Sequence, residues 1–118
     1  MLKLATIIVT FVALCIGGQA AEWGSIAFSP STGANGYSHN YDTKPTAQSW
    51  AMYYCGQNAS DCRIVTNFQN ACGALARGSN GGWGANWGTT RANAEANAIN
   101  ACRGNDRGCR VTRWVCSR

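Results

Sequence analysis

His39 is the single histidine of the chain, and Asp42 follows it three residues later, with several serines nearby. Serine, histidine and carboxylate are the components of nucleophilic hydrolysis, in which the imidazole takes the serine proton and the acid orients the imidazole. Geometry defines that constellation, and closeness along the chain does not supply it. His39 alternates with Tyr37 and Tyr41, so it reads as a surface or packing residue of a strand. The remaining acids are Glu22, Asp61, Glu95 and Asp106. A glycosidase needs two carboxylates facing each other across a cleft. Each acid here has a structural reading instead. Asp42 adjoins a helix start, where a negative charge meets the positive end of the helix dipole. Glu95 pairs with Arg91 at i,i+4, Asp61 and Asp106 sit between cysteines, and Glu22 lies close to a cleavage point. The sequence therefore assigns no catalytic residue.

The cysteines carry more information. Seven occur in 118 residues, with 14 glycines and only 13% charged residues. They show no C-x-x-C spacing, and one histidine does not complete a metal cluster. No metal and no cofactor are expected. Met1 to Ala20 has a basic residue, an apolar run from Leu4 to Ile16, and small residues at the last and third-last positions. That is the layout of a cleaved secretory signal peptide, and its apolar run is too short to span a bilayer. Without Lys3 and Cys15 the exported domain, residues 21–118, keeps nine basic residues, five acids and six cysteines. An even count in an oxidising compartment, secreted or periplasmic, reads as disulfides.

The chain resembles itself at an offset of 47 residues. Thr43 falls on Thr90, Ala47 on Ala94, Ala51 on Ala98, Cys55 on Cys102, Asn58 on Asn105, Cys62 on Cys109 and Arg63 on Arg110. This predicts an α+β fold of two ββαβ-like repeats, about 23–72 and 73–118, that share a core. Each repeat reads as a hairpin, a helix and a strand. The first hairpin spans Trp23 to Ser29 and then Tyr37 to Tyr41, with Asn35-Gly36 suited to positive φ in the turn. The second spans Ala74 to Arg77 and Trp83 to Trp87. Thr43 or Thr46 caps the first helix, and Thr89 or Thr90 the second. The first helix follows the i, i+3, i+4, i+7, i+8 template with Ala47, Trp50, Ala51, Tyr54 and Cys55. The last strands are Arg63 to Phe68 and Arg110 to Val115. Six cysteines allow fifteen connectivities. The repeat singles out Cys55–Cys62 and Cys102–Cys109, which leaves Cys72 and Cys116, at the ends of the two final strands, to bridge the copies.

Two groups of side chains could bind a partner. Trp83 and Trp87 share one face of a strand, with small residues between them, and Trp23, Tyr37 and Tyr41 lie on the matching hairpin. Exposed aromatic rings can stack on sugars or bases, while the structural reading makes these rings the core beneath the helices. Arg103, Arg107, Arg110, Arg113 and Arg118 crowd the last sixteen residues. Guanidinium groups suit bidentate capture of carboxylate or phosphate. Strand alternation sends Arg110 and Arg113 to opposite faces, so the expected patch is Arg103, Arg107 and Arg110. No dense Lys/Arg run is present, so no nucleic-acid partner is expected.

Trp23-Gly24-Ser25-Ile26-Ala27, Gly33 with Gly36-Tyr37-Ser38, Asn70 to Ala76, Ala94 to Cys102, Cys109-Arg110-Val111 and Cys116, with all six later cysteines, stand in the order of a known family. In these motifs the chain resembles the bacterial exported family catalogued as domain of unknown function 4189. The first helix departs from it, with Gln48-Ser49-Trp50 in place of an Ala/Glu-rich pattern. The resemblance implies export and a disulfide-stabilised domain, and no reaction. The reading that results is a small monomeric binding module that recognises an anionic envelope surface or a protein through Arg103, Arg107, Arg110, Trp83 and Trp87. The alternatives are an inhibitor or immunity-type protein against a wall-degrading enzyme, and a small hydrolase using His39 and Asp42.

Overall fold

The computed structural model describes residues 21–118; the signal-peptide reading of residues 1–20 lies outside the described residues. The chain runs β1 (Trp23–Phe28), β2 (Asn35–Tyr41), α1 (Lys44–Gly56), β3 (Arg63–Gln69), β4 (Ala71–Arg77), β5 (Trp83–Gly88), α2 (Arg91–Arg103) and β6 (Arg110–Ser117). Two antiparallel three-stranded sheets result, ordered β2-β1-β3 and β5-β4-β6. Each half is thus a ββαβ unit with its first strand at the centre of its sheet.

The apolar side chains sort into three layers of contact. Ile26, Phe28, Phe68, Ala71, Leu75 and Val115 are buried between the two sheets, with Val65, Trp83 and Ala85 against them. Ala27, Ala51 and Cys55 form a thin seam between the first sheet and α1, and Ala74, Ala76, Ala94, Ala98 and Cys102 do the same for α2. The order through the molecule is helix, sheet, sheet, helix. The fully buried residues of these seams are alanine and cysteine, with Ile64 and Ile99 partly buried against them, because the helices lie almost on the strands. A Cβ on Gly36 would stand 2.3 Å from the Ala51 carbonyl oxygen, and one on Gly84 would stand 2.2 Å from the Cys102 nitrogen. Glycine at these two positions is a packing requirement. Asn35-Gly36 is accordingly the start of β2 and not a turn; the positive φ of the first turn falls on Gly33 (84°). The same close approach narrows the buried stripe of α1 to Ala47, Ala51 and Cys55, leaving Trp50 and Tyr54 of the expected face exposed at 40% and 45%.

The helices begin alike. Thr43 Oγ1 accepts from the Thr46 N–H at 3.3 Å, and Thr90 Oγ1 accepts from the Asn93 N–H at 3.1 Å. These contacts satisfy donors that a helix cannot pair internally. The offset between the halves is 47 in the helices but larger before them. Ala27 faces Gly36 where Ala76 faces Gly84, so β2 and β5 are 48 apart, and β1 and β4 are 49 apart. The structural counterpart of His39 is therefore Trp87 and not Asn86. Asn40 takes up one extra residue in the left-handed region (φ 63°), with its N–H donating to Ser117 Oγ at 2.7 Å.

All three disulfides lie within halves. Cys55–Cys62 and Cys102–Cys109 each tie a helix end to the next strand, with Cα atoms 6.1 Å apart. Cys72–Cys116 does not bridge the copies. A single residue, Asn70 (φ 50°), turns the chain from β3 in one sheet to β4 in the other. The second half therefore starts at Ala71, and Cys72 stands in β4 directly opposite Cys116 in β6.

Candidate functional site

One end of the sandwich gathers arginines that are distant in sequence. Phe28, the last residue of β1, faces Arg63, the first of β3. In the other sheet Arg77, the last residue of β4, stands between Trp83 of β5 and Arg110 of β6. The two sheets meet through Phe28 and Trp83, whose ring centroids are 5.3 Å apart. Arg63 lies over the Trp83 ring at 5.4 Å, and Arg77 over the Phe28 ring at 5.6 Å. Such stacking holds a guanidinium in place while leaving its donors available. Gly33 lies against the Arg77 guanidinium, where a side chain would collide with it.

Arg77 and Arg110 line a pocket of about 610 Å³ with Gly78, Ser79, Gly81, Gly108 and Thr112. No carboxylate answers these charges. The single ion pair among the described residues is Arg91–Glu95, in the first turns of α2. Asp106 belongs to the loop beside the pocket, but its oxygens accept from the N–H groups of Asn80, Gly82 and Arg107 at 2.7–2.9 Å. These bonds, the one from Arg107 first, hold its carboxyl below the usual carboxylate range. Asp61 makes the corresponding contact in the first half, to the Ser29 hydroxyl and the Ser31 N–H, and the serine hydroxyl is the main cause that lowers its pKa. Arg77 Nε is shielded from solvent and has no hydrogen-bond partner.

Of the residues singled out by sequence, the structure brings Arg110 and Trp83 to this end. Arg107 sits at its rim, where its carbonyl accepts from Ser79 N and Ser79 Oγ, both at 2.9 Å. Arg103 is exposed at the end of α2, and Trp87 is at the opposite end of β5, half exposed. Trp83 packs between the sheets and not beneath a helix. Arg113 and Arg110 point to the same side, contrary to simple alternation. A bulge at Thr112 lets Ala76 face Val111 and Leu75 face Arg113, so both arginines share the side of Arg77 and Leu75. Arg113 is then engaged elsewhere, its Nε donating to Asn35 Oδ1 at 2.9 Å. Sequence reasoning missed Arg63 and Arg77. The signal for Arg63 was its coincidence with Arg110 at the 47-residue offset, whereas Arg77 enters only through the register of β4 with β6.

His39 makes no hydrogen bond to a serine or a carboxylate among the described residues. It is an exposed member of a groove with Tyr37, Tyr41 and Tyr54. Among the described residues no cluster of three potential metal ligands occurs, and no helix is long and apolar enough to cross a membrane.

The profile of the family described as "Domain of unknown function (DUF4189)" matches residues 23–116, from the first residue of β1 to the second cysteine of the β4–β6 bridge. The chain belongs to this family. Proteins similar to this DUF4189 chain occur in mycobacteria. Protein Rv1269c of Mycobacterium tuberculosis and Protein Mb1300c of Mycobacterium bovis are each 42% identical over 57 residues, which is 48% of this chain and 43% of theirs. The chain thus spans less than half the length of these curated relatives. An NMR structure of Rv1813c from Mycobacterium tuberculosis is similar over 84% of this chain and 78% of that one, with a TM-score of 0.62 and 29% identity. The family's description assigns no reaction or ligand.

Proposed function

We propose that this chain is an exported binding module that captures an anionic envelope polymer through the arginine end of its sandwich. Arg77 and Arg110 form the centre of the site, Arg63 flanks it, and Arg107 and Arg103 supply the rim. The observation that carries this reading is the unanswered charge, with Arg77 and Arg110 lining one pocket that has no acid among its lining residues and with neither in an ion pair. Strand pairing and ring stacking fix the guanidinium groups in advance, which reduces the entropy lost on binding. Three disulfides suit a chain delivered to an oxidising compartment, in keeping with a cleaved leader at residues 1–20.

The test is binding of the purified chain to immobilised polyphosphate, used as a generic anionic polymer. Raising salt from about 0.1 M to about 1 M shortens the screening length from about 10 Å to about 3 Å and should weaken binding steeply. An Arg77→Ser/Arg110→Ser double variant should lose about tenfold or more, since each charge-assisted hydrogen bond is worth about 1.5–3 kcal/mol. An Arg103→Ser/Arg107→Ser variant should lose less. Salt-independent binding, or an unaffected Arg77/Arg110 variant, overturns the reading.

A further inference from the structure

The outer surface of the first half carries aromatic side chains that the fold does not need. Trp50 packs with Tyr41 at 6.3 Å and Tyr54 at 5.9 Å, both in near-parallel orientation, and with Tyr53 edge-on at 5.7 Å, and is itself 40% exposed. Tyr53 and Tyr54 are 56% and 45% exposed. The second half provides an internal control. At the helix offset of 47, Asn97 stands where α1 has Trp50, Asn100 where it has Tyr53, and Ala101 where it has Tyr54. The same helix on the same kind of sheet is built with small and polar residues at these positions. Packing therefore does not account for the rings of α1.

Beside this cluster Asn35, Gly36, Tyr37, Ser38, His39, Tyr41 and Tyr54 enclose a groove of about 360 Å³, within the size range of small-ligand sites. Its floor is fixed from elsewhere in the molecule. Arg113 crosses from the other sheet to bond Asn35 Oδ1 at 2.9 Å and to stack over Tyr37 at 4.6 Å. Because the guanidinium takes the amide oxygen, the Asn35 NH₂ is left as a donor of set orientation. Ser38 Oγ donates to the Ala47 carbonyl at 2.6 Å, tying the strand to the helix. No arginine, lysine or carboxylate lines the groove.

We propose that this groove and the adjoining Trp50 platform bind a neutral saccharide, at a site separate from the arginine end. A pyranose ring has an apolar C–H face, which suits an exposed aromatic ring, and a rim of hydroxyls, which suits phenol, imidazole and amide groups. A purely apolar ligand would leave those polar tips unpaired. A nucleotide would bring a phosphate, and the guanidinium nearest the groove, Arg113, is not among the lining residues and is engaged by Asn35 Oδ1 and the Tyr37 ring. Trp50 and Tyr53, which lie outside the groove lining and pack on Tyr54, continue the aromatic surface beyond it, which favours an oligosaccharide over a single sugar.

The experiment is a two-dimensional NMR titration of the whole exported domain with chitotetraose, cellotetraose and maltotetraose, each to about 10 mM, well above the ~1 mM Kd of a weak complex. At least one should perturb Tyr37, His39, Tyr54 and the Trp50 indole N–H together. Trp50→Asn and Tyr54→Ala, which install the residues of the second helix, should each weaken that binding about tenfold or more and leave the circular dichroism spectrum and polyphosphate binding unchanged. The proposal is overturned if none of the three sugars perturbs the groove, if the shifts centre on Trp87, if both variants bind as the parent does, or if sedimentation shows that Trp50 mediates self-association. The arginine reading survives each of these outcomes.

Discussion

Asp61 and Asp106 each leave an inter-cysteine loop to hold the hairpin turn of their own half, Asp61 at Ser29 and Ser31 and Asp106 at Asn80 and Gly82. Both are ionised more readily in the folded chain than the usual carboxylate, whose pKa is about 3.9, because the donors around them prefer the charged form. A folded pKa below the unfolded one adds stability above the unfolded value and loses it as pH falls through the folded value. The thermal midpoint should therefore fall as pH is lowered from about 5 toward 2. In Asp106→Asn the fall should be shallower, because one of the two carboxylates whose pKa is lowered in the fold is gone. An identical slope in the variant would remove Asp106 as a source of acid sensitivity. At this scale the sequence was legible where a residue acts alone. Placing Asp61 and Asp106 in structural loops needed only their position between cysteines. Arg77 was not legible, since its importance comes from standing beside Arg110 on the neighbouring strand.

At the scale of elements, the helices sit so close to the strands that glycine becomes the determining residue. Gly36→Ala places a methyl within 2.3 Å of α1 backbone atoms that cannot rotate away. It should cost about 1–3 kcal/mol in chemical denaturation, the usual penalty of overpacking. Gly56→Ala, at the last residue of α1 with nothing within 4 Å, should instead stabilise the protein by about 0.4–1 kcal/mol. If both substitutions cost alike, close helix contact does not explain Gly36. Element types and order followed from the 47-residue offset and from periodicity. The faces were harder to read. The template assigned Trp50 and Tyr54 to the core because it counts apolar residues without knowing that an alanine-glycine contact leaves no room for rings. Strand alternation failed at Thr112, since a bulge adds one residue and reverses every side chain beyond it. Neither the bulge at Thr112 nor the extra residue at Asn40 has a signature in composition.

Across the whole molecule, each half builds one sheet and one helix, and the halves meet through the faces of their sheets. The covalent links respect that division, because Cys55–Cys62 belongs to the first half and the other two bridges to the second. Their placement has a consequence for biogenesis. With the proposed leader and its Cys15 removed, a chain that emerges N-terminus first exposes the remaining cysteines in the order 55, 62, 72, 102, 109, 116. An oxidase that joins each thiol to the next would produce Cys55–Cys62 correctly and then Cys72–Cys102 and Cys109–Cys116, both wrong. The native second half is a nested pair, in which Cys72 must wait for the third-last residue of the chain. Reaching it requires thiol–disulfide exchange, a step that takes seconds to hours depending on the catalyst. Expression in an oxidising compartment without a disulfide isomerase should therefore accumulate a Cys72–Cys102 species, detected by non-reducing peptide mapping, while Cys55–Cys62 forms normally. Equal native yield with and without the isomerase would mean that β6 docks on β4 before Cys72 is oxidised.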